Sequence, residues 1–423
     1  MRPRHVGPTP EWHAGGVHDL VALLLPGGDD IVAAVRRAWE RGDAVLPLDP
    51  ASPAPHLQAV MSALGPTMVV EADGEPRRVE GGRPVCEGDA LVIATSGTTG
   101  TPKGAVHTHH SVEHAAFATS TAAGVASDTR WLACLPLSHV GGFSVLSRAL
   151  VTGAGLEVHP RADADAIDDA AHRGATHVSL VPTVLTRIDP SPWRTILLGG
   201  SSIPADRPTN TIATYGMTET MGGVVYDGLA LSGVEFRIVE VDRARTSPLR
   251  TTELHTARAR TAEHGRVGQI ELRSPTLLRC YRDGTDPVRA DGWYRTGDLG
   301  SIDATTRTLS VHGRADDLII TGGEKVWPDP VEAVLRTDHR VRDVAVIGLA
   351  DPEWGQRVVA VVVAADPGDP PTLQGLRDLV RARLPVAAAP KELVLADSLP
   401  RTALGKIRRA LLVDSGSEHP PYG

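Results

Sequence analysis

The segment from residue 95 to residue 104 has the composition of a loop that binds phosphate. Its three glycines, Gly97, Gly100 and Gly104, carry no side chain that would hold the backbone away from phosphate oxygens, so their amides can face an anion. Lys103 adds a cation that offsets the charge of a polyphosphate. Hydroxyl donors are supplied by Thr95, Ser96, Thr98, Thr99 and Thr101.

Two alternatives to a phosphate loop of this kind are a plain surface turn and a P-loop NTPase. A Gly/Ser/Thr turn needs no lysine and rarely follows a strand as apolar as ALVIA. In a P-loop the lysine is followed by Ser or Thr, which binds magnesium, whereas Lys103 is followed by Gly104. The missing hydroxyl disfavours an NTPase of the motor or switch type.

The loop resembles the signature of the adenylate-forming superfamily, which includes acyl-CoA ligases, luciferases and peptide-synthetase adenylation domains. Further segments resemble the other motifs of this superfamily, and they occur in the expected order over about residues 90–413. These segments are PLSHVGG (136–142), LGGS (198–201), TYGMTE (214–219), YRTGD (294–298), GRADD (313–317), GGEK (322–325) and PRTALGK (400–406).

The resemblance implies an ATP site. Tyr215 offers a flat face to the purine, Gly216 allows the backbone to approach the nucleotide, and Thr218 offers a hydroxyl to the α-phosphate. Glu219 supplies the hard oxygen that Mg²⁺ prefers. The other implied nucleotide contacts are Thr95, Ser96, Gly97, Thr98, Thr99 and Gly100 for phosphate, Gly199, Gly200 and Ser201 for adenine, Asp298 for ribose, and Arg314.

The resemblance also implies a two-step reaction. Lys103, Lys406, Thr218 and Mg²⁺ on Glu219 would neutralise charge while a carboxylate attacks the α-phosphorus, and His139 would lie beside the carboxylate pocket. The C-terminal domain would then rotate about Asp316. This rotation would withdraw Lys406 and present Gly322 and Gly323 to the pantetheine arm of coenzyme A. A lone histidine is more often structural, and Asp316 by itself suits an ordinary turn.

Within the superfamily, the chain is most similar to the o-succinylbenzoate–CoA ligases of menaquinone synthesis. The N-terminal region is short, and the contexts HVSLVPTVLTRI and TYGMTETMGGVVYDG carry this resemblance. Ligases for another fatty or aryl acid, an enzyme that stops at the adenylate, and a catalytically silent nucleotide-binding homologue are left open. Only about ten polar residues follow residue 413, so transfer to an attached carrier domain is not expected.

Helical and strand-like patterns alternate through the first 70 residues, which predicts a mostly parallel sheet covered by helices. We predict an N-terminal α/β domain over 1–314, with a β-rich subdomain from about 224, a mobile α+β domain over 315–413, and a tail over 414–423. Within the β-rich part, residues 242–266 are polar and lack periodicity, which is typical of a solvated loop.

The composition sets further limits on function. The net charge of −8 gives no general attraction to nucleic acid, and no apolar stretch reaches the roughly 20 residues that span a bilayer. The three cysteines, Cys86, Cys134 and Cys280, suit reduced thiols, so a cytoplasmic protein is expected, and a homodimer is left open. The histidines between 107 and 114 lack the ligand pattern of a metal site.

Overall fold

The computed structural model describes residues 17–96, 102–200, 203–204, 206–240, 265–401 and 407–415. The chain divides into two compact units. Unit 1 consists of Met1–Phe236 and Leu272–Arg295, and unit 2 consists of Arg237–Glu271 and Thr296–Gly423. The domain boundary predicted at 314/315 concerns which residues move together, and it stays a prediction.

The first part of the chain alternates strands with helices. Its strands are β1 (Val17–His18), β2 (Leu20–Leu23), β3 (Ala44–Pro47), β4 (Met68–Val70), β5 (Pro76–Arg78), β6 (Val85–Cys86), β7 (Asp89–Ser96), β8 (Pro102–Thr108), β9 (Arg130–Ala133), β10 (Gly155–Val158), β11 (His177–Leu180), β12 (Thr195–Leu198), β13 (Thr211–Met217), β14 (Gly222–Tyr226) and β15 (Leu229–Ala230). Its helices are α1 (Asp29–Glu40), α2 (Ala54–Leu64), α3 (His109–Ala122), α4 (Val140–Thr152), α5 (Ala164–His172) and α6 (Pro182–Leu185).

The later part of the chain is richer in strands. Its strands are β16 (Glu235–Val239), β17 (Gly268–Arg273), β18 (Cys280–Tyr281), β19 (Tyr294–Ile302), β20 (Leu309–Arg314), β21 (Ile319–Thr321), β22 (Glu324–Val326), β23 (Val341–Asp351), β24 (Gly355–Ala364) and β25 (Glu392–Leu395). Its helices are α7 (Pro328–Leu335), α8 (Leu373–Arg381) and α9 (Arg409–Ser415).

Two seven-stranded mixed sheets form unit 1. The first has the order β18-β8-β7-β3-β2-β4-β5 and the second β10-β9-β11-β12-β13-β14-β15. Their central strands are parallel and fully buried, as in β2 and β12. Antiparallel pairs occur toward the ends of the sheets, at β8, β18, β14 and β15, whereas the end strand β10 is parallel to β9. The α/β fold class predicted from the sequence is confirmed.

Helix α1 shows how the sequence directs this packing. Ile31, Ala34, Val35 and Ala38 recur at helical spacing and are buried, whereas the acidic Asp29 and Asp30 lie in the first turn. Negative charge is favourable at a helix N-terminus because the unpaired amides there carry positive partial charge. The buried stripe therefore packs on the sheet, and the charged end faces away from it.

Unit 2 is built on antiparallel pairing. Strands β19 and β20 pair antiparallel within a sheet of order β16-β17-β19-β20. A five-stranded sheet follows, with the order β22-β21-β24-β23 and β25 parallel to β24. Helices α7 and α8 contribute Val331, Leu335, Leu376 and Val380 to its buried core.

The polar segment predicted as a solvated loop falls almost wholly outside the described residues, because these omit residues 241–264. Its loop character therefore stays a prediction. Across the part of the chain that the structure describes, no helix combines the length and apolar character needed to cross a bilayer.

Candidate functional site

Lys103 lies on a β-hairpin whose strands enclose the predicted phosphate loop. Thr95 on β7 pairs with Lys103 on β8, and Ser96 pairs with Pro102. The Thr95 hydroxyl donates a hydrogen bond to the Lys103 carbonyl at 3.3 Å. The hairpin therefore fixes the point at which the partly buried Lys103 leaves the sheet. Gly97, Thr98, Thr99 and Gly100 lie outside the described residues.

The last glycine of the motif has a packing role that the sequence did not indicate. A Cβ atom on Gly104 would lie 2.8 Å from both Leu64 Cδ2 and Val92 Cγ1. Its carbonyl accepts a hydrogen bond from the Arg282 amide at 2.7 Å. A larger residue at this position would force the Leu64 and Val92 side chains to shift.

Thr218 and Glu219 lie in a single 3₁₀ turn between β13 and β14. The turn is held through its backbone from the first sheet. The Leu278 amide donates to the Glu219 carbonyl at 2.8 Å, and His107 Nε2 lies 2.8 Å from the Thr218 carbonyl oxygen, which accepts its hydrogen. Burial lowers the pKa of His107 to about 4, against the effect of the bond to Thr218, so the ring is neutral at pH 7.

Tyr281 connects the two charged groups that the sequence placed at the site. Its hydroxyl donates to Glu219 Oε1 at 2.7 Å, and Lys103 Nζ lies 5.2 Å from the centroid of its ring. Lys103 and Glu219, far apart along the chain, are thus brought to one aromatic side chain, Lys103 to its ring face and Glu219 to its hydroxyl. This is the arrangement expected if both act on a bound polyphosphate.

Close backbone packing explains why residues 199, 200 and 216, which were predicted to lie beside the nucleotide, are glycines. Gly216 lies at a β-bulge in β13, where a side chain would overlap the Gly222 carbonyl. A Cβ atom on Gly199, directly after β12, would lie 2.5 Å from Thr214 Oγ1, and Gly200 has a φ of 88°. Tyr215 is partly buried on β13, and Ser201 lies outside the described residues.

His139 is the residue that precedes the first turn of α4. Burial lowers its pKa, against a smaller effect of Asp49, so the imidazole is neutral at pH 7 and suited to hydrogen bonding. The same helix turn packs closely, because a side chain on Gly142 would overlap the carbonyls of Leu135 and Pro136.

Arg148, on the same helix, is a buried cation that the sequence analysis did not identify. Arg148 is 2% exposed. Its Nε donates a hydrogen bond to Thr119 Oγ1 at 2.9 Å, and its Nη2 donates one to Ser144 Oγ at 3.4 Å. Its guanidinium lies 4.6 Å from the centroid of the Trp131 ring. A single arginine within the apolar run FSVLSRALV was the signal that could have drawn attention to it.

The environment of Arg148 is short of negative charge. Among the described residues Nη1 has no hydrogen-bond partner and no carboxylate lies within salt-bridge distance. Burial lowers the pKa of this guanidinium. Ser144, its hydrogen-bond partner, lies 3.6 Å from where a Cβ on Gly222 would stand, three residues after Glu219. Arg148 therefore binds a residue that also packs beside Gly222, just after the Glu219 turn.

In unit 2 the structure brings together the predicted ribose and nucleotide contacts. Asp298 on β19 pairs with Arg314 on β20, and Arg314 Nη1 donates to Asp298 Oδ1 at 3.1 Å and to the Thr296 carbonyl at 2.8 Å. Asp298 is buried, so this pairing offsets the cost of removing its charge from water.

The predicted hinge and pantetheine residues occupy two short turns of unit 2. Asp316 lies in a 3₁₀ turn, Ala315–Asp317, directly after β20. Gly322 and Gly323 form the two-residue turn between β21 and β22, with φ values of 58° and 83° that only glycine adopts without strain.

Lys406 lies outside the described residues, but both flanks of its segment are described. An isolated antiparallel bridge joins Arg401 to Ile407, and the Arg408 amide donates to the Pro400 carbonyl at 2.8 Å. The described residues on the two flanks, Pro400–Arg401 and Ile407–Arg408, are thus paired with each other.

Glu219 fits a magnesium ion that is held mainly by its nucleotide. Across the described ranges no three His, Cys, Asp or Glu side chains form a cluster suited to a metal ion. Magnesium is commonly bound by one or two carboxylates together with substrate phosphates and water. The hydrogen bond from Tyr281 engages Glu219 Oε1, which leaves Oε2 as the oxygen to be directed at a cation.

Comparisons of the sequence and the fold with known proteins find similarity to one family of enzymes. Family models described as AMP-binding enzyme and AMP-binding enzyme C-terminal domain match residues 80–282 and 330–406. The chain is 36% identical over 388 residues to a probable 2-succinylbenzoate–CoA ligase of Mycobacterium tuberculosis, covering 85% of this chain and 94% of that protein. It is 33% identical over 342 residues to an indoleacetate–CoA ligase of Aromatoleum aromaticum, covering 75% and 66%.

A solved structure shows the same fold. The o-succinylbenzoate CoA synthetase of Bacillus subtilis, in complex with its acyl-adenylate intermediate, superposes with a TM-score of 0.79 at 26% identity, covering 93% of this chain and 88% of that one. The superfamily predicted from the motifs is confirmed. The chain belongs to the family of AMP-binding enzymes.

Proposed function

We propose that this protein is an ATP-dependent acid–thiol ligase that converts o-succinylbenzoate to its acyl-adenylate and then to o-succinylbenzoyl-CoA. The similarity to 2-succinylbenzoate–CoA ligases supports the reaction. The observation that carries the proposal is the contact of both Lys103 and Glu219 with Tyr281, because joining a carboxylate to a polyphosphate requires charge neutralisation more than proton transfer.

In the first step, Lys103 offsets charge on the phosphates and Thr218 donates its hydroxyl to the α-phosphate. Bound Mg²⁺ would be held by Glu219 and would supply a further positive charge beside the phosphates. The carboxylate oxygen attacks the α-phosphorus in line, the bond to the β-phosphate bridging oxygen breaks, and pyrophosphate leaves. Neutral His139 helps to orient the attacking carboxylate.

The second step needs a thiol at the position vacated by Lys406. The coenzyme A sulfur attacks the acyl carbon, and AMP leaves. We infer that rotation about Asp316 exchanges Lys406 for the Gly322–Gly323 turn, whose two glycines leave room for a narrow pantetheine arm. Asp298 and Arg314, already paired in unit 2, would hold the ribose.

Arg148 supports a substrate with two carboxylates. o-Succinylbenzoate keeps one free carboxylate after the other is activated, and a buried guanidinium without a carboxylate partner among the described residues can satisfy it. A monocarboxylate such as indoleacetate, the substrate named for one relative, would leave Arg148 unpaired. This charge balance favours o-succinylbenzoate over the aryl monocarboxylate alternative.

A pyrophosphate-release assay over a panel of acids, with and without coenzyme A, tests the proposal. We expect o-succinylbenzoate to give the highest kcat/KM, with thioester formed only when coenzyme A is present. Nucleotide binding without pyrophosphate release from any acid would instead favour a silent homologue. Turnover of indoleacetate above o-succinylbenzoate would assign the chain to the other substrate class.

Substitution of the predicted mobile lysine separates the two steps. Lys406→Ala should lower adenylate formation by about 10²–10³-fold, as expected for the loss of one stabilising charge, yet spare thioester formation from supplied acyl-adenylate. Equal loss in both steps would contradict a lysine that withdraws between them. Asp316→Pro should show the reverse pattern, with the second step impaired more than the first.

We place this reaction in the cytoplasm. All three cysteines are free thiols, and burial raises the pKa of Cys134 to about 12, so it stays protonated and unreactive. Such a thiol set suits a reducing compartment in which ATP and coenzyme A are available.

A further inference from the structure

Tyr281 occupies a position to which the two-step reaction assigns no role. It lies on β18, which pairs antiparallel with β8, so that Tyr281 is opposite Ala105 and two residues from the position of Lys103. Its ring faces Lys103 Nζ at 5.2 Å, and its hydroxyl donates to Glu219 Oε1 at 2.7 Å. One side chain therefore contacts both groups on which charge neutralisation depends.

The backbone near Glu219 is held without help from Tyr281. The Leu278 amide binds the Glu219 carbonyl, and His107 binds the Thr218 carbonyl, each at 2.8 Å. The hydroxyl of Tyr281 thus acts on the carboxylate itself. It selects which oxygen, Oε1, is engaged and restricts the glutamate rotamers, which are otherwise numerous in a partly buried side chain.

The chemistry of the phenol suits this task. An ordinary phenol stays protonated well above physiological pH, so the Tyr281 hydroxyl is available as the donor of its 2.7 Å hydrogen bond to Glu219. The ring adds a second effect, because the negative face of an aromatic ring attracts an ammonium group within about 6 Å. A phenylalanine would keep the attraction to Lys103 but lose the donor to Glu219.

We propose that Tyr281 is a positioning residue for the first half-reaction: its hydroxyl orients the Glu219 carboxylate toward the nucleotide-bound Mg²⁺, while the face of its ring holds Lys103. This inference rests on the proposed function, specifically on Glu219 as the magnesium contact. The spacing of carboxylate and ammonium is then set before the nucleotide arrives, which reduces the ordering that binding requires.

The test is Mg²⁺-dependent ATP binding to Tyr281→Phe, measured by isothermal titration calorimetry on the full chain. One hydrogen bond to a charged group is worth about 1.5 kcal/mol, so the half-saturating Mg²⁺ concentration should rise about tenfold. The kcat/KM of adenylate formation should fall by a similar factor, and thioester formation from supplied acyl-adenylate should be unchanged.

A double-mutant cycle distinguishes positioning from general stability. In a Glu219→Gln background, the further substitution Tyr281→Phe should change Mg²⁺ dependence less than about twofold, because the carboxylate it acts on is gone. Ser191→Ala is the matched control, since Ser191 also donates its hydroxyl to a carboxylate of unit 1, Asp189 at 2.9 Å, on an exposed loop. That control should behave as wild type.

Two outcomes overturn the inference. An unchanged Mg²⁺ half-saturation in Tyr281→Phe would remove the orienting role, and an undiminished effect in the Glu219→Gln background would show that Tyr281 acts by another route. Failure of the proposed function is distinguishable, because the wild-type protein would then release no pyrophosphate with o-succinylbenzoate, whereas the Mg²⁺ dependence of ATP binding is measured without that reaction.

Discussion

Arg148 in unit 1 and Arg409 in unit 2, both largely removed from water, lie in opposite electrostatic surroundings. In unit 1, Arg148 has hydroxyl and aromatic partners and, among the described residues, no carboxylate. In unit 2, the Arg409 side chain is 13% exposed and binds three carboxylates, those of Asp317, Asp329 and Glu332, at 3.2, 2.9 and 2.6 Å. Burial opposes the charge of Arg409, but these carboxylates outweigh it and raise its pKa.

The difference distinguishes a structural cation, Arg409, from Arg148, the cation that we propose to bind the free carboxylate of the substrate. Arg409 joins the start of α9 to α7 and to the turn that holds Asp316, so its charge is satisfied within the protein. Arg148 is satisfied only in part, and a buried charge without an opposite charge costs free energy. Binding of an anion beside such a cation would offset this free-energy cost. Substitutions at buried and exposed charges test this contrast, and the largest effect is expected in unit 2.

Removing the charge of Arg409 should destabilise unit 2. Arg409→Gln leaves Glu332, whose side chain is 3% exposed, with Arg336 as its remaining cationic partner among the described residues. Breaking a buried ion pair costs about 3–5 kcal/mol. Hydrogen–deuterium exchange of α7 should therefore accelerate by about 100-fold or more.

Arg357→Gln is the control for that experiment. Arg357 pairs with Glu392 in the same unit, but both side chains are substantially exposed, so its loss should cost at most about 1 kcal/mol. Similar exchange rates in the two variants would mean that the Arg409 cluster is no more than a surface network.

Removing the charge of Arg148 should affect substrate binding and leave stability intact. Arg148→Met should lower kcat/KM for o-succinylbenzoate by about 30-fold or more, corresponding to at least about 2 kcal/mol for a lost buried charge pair. Most of this loss should appear in KM. The hydroxyls of Thr119 and Ser144 keep their backbone acceptors, Ala115 and Gly141, so the free energy of unfolding should not fall.

Comparing turnover of o-succinylbenzoate with that of a monocarboxylate tests whether Arg148 acts on the free carboxylate. Turnover of a monocarboxylate such as indoleacetate should be unchanged or raised in Arg148→Met, because no free carboxylate is left without a partner. A variant that unfolds at lower urea concentration than wild type, with both acids equally impaired, would assign Arg148 to the core instead of the substrate.

His107 is a buried base in unit 1 that, unlike Arg148, can give up its proton. Because its pKa is lowered from 6.5 to about 4 by burial, the unfolded chain binds more protons between these values. Stability due to this residue is therefore complete above pH 6.5 and is lost as the pH falls toward 4. Between about pH 7 and pH 5.5 the loss should be about 1 kcal/mol.

His107→Gln tests that loss while keeping a donor for the Thr218 carbonyl. Urea unfolding at about pH 7 and pH 5.5 should show a smaller difference for the variant than for wild type, by about 1 kcal/mol. Identical pH dependence in the two proteins would show that His107 does not become charged on unfolding.

The smallest effect is expected for an exposed pair. Arg194 binds Asp128 through both of its terminal nitrogens, at 2.9 and 2.8 Å, but both side chains lie in solvent. Water screens such pairs, so Arg194→Ala should leave the urea midpoint of unit 1 unchanged within error. A shift as large as that of Arg409→Gln would contradict the conclusion that burial makes a charge pair important for stability.

Much of the fold and part of the site could be predicted from the sequence. The alternation of apolar strands with helices in the first 70 residues indicated the α/β class, which is confirmed. The motif residues Lys103, Glu219 and Asp298 were named from local patterns, and their roles stay predictions. The packing role of Gly104 could not be predicted, because its contacts with Leu64 and Val92 come from two other elements and leave no trace in its own motif.

The sequence by itself determined the groups that are close along the chain: the hairpin that bears Lys103 and the Gly322–Gly323 turn. Their geometry follows from residues within a few positions, because hydrogen bonding and φ angles are local. Only the tertiary structure decided that Tyr281, 62 residues from Glu219, stands between that carboxylate and Lys103. Strand order sets this contact, and the order of β18, β8 and β7 depends on the packing of the whole sheet.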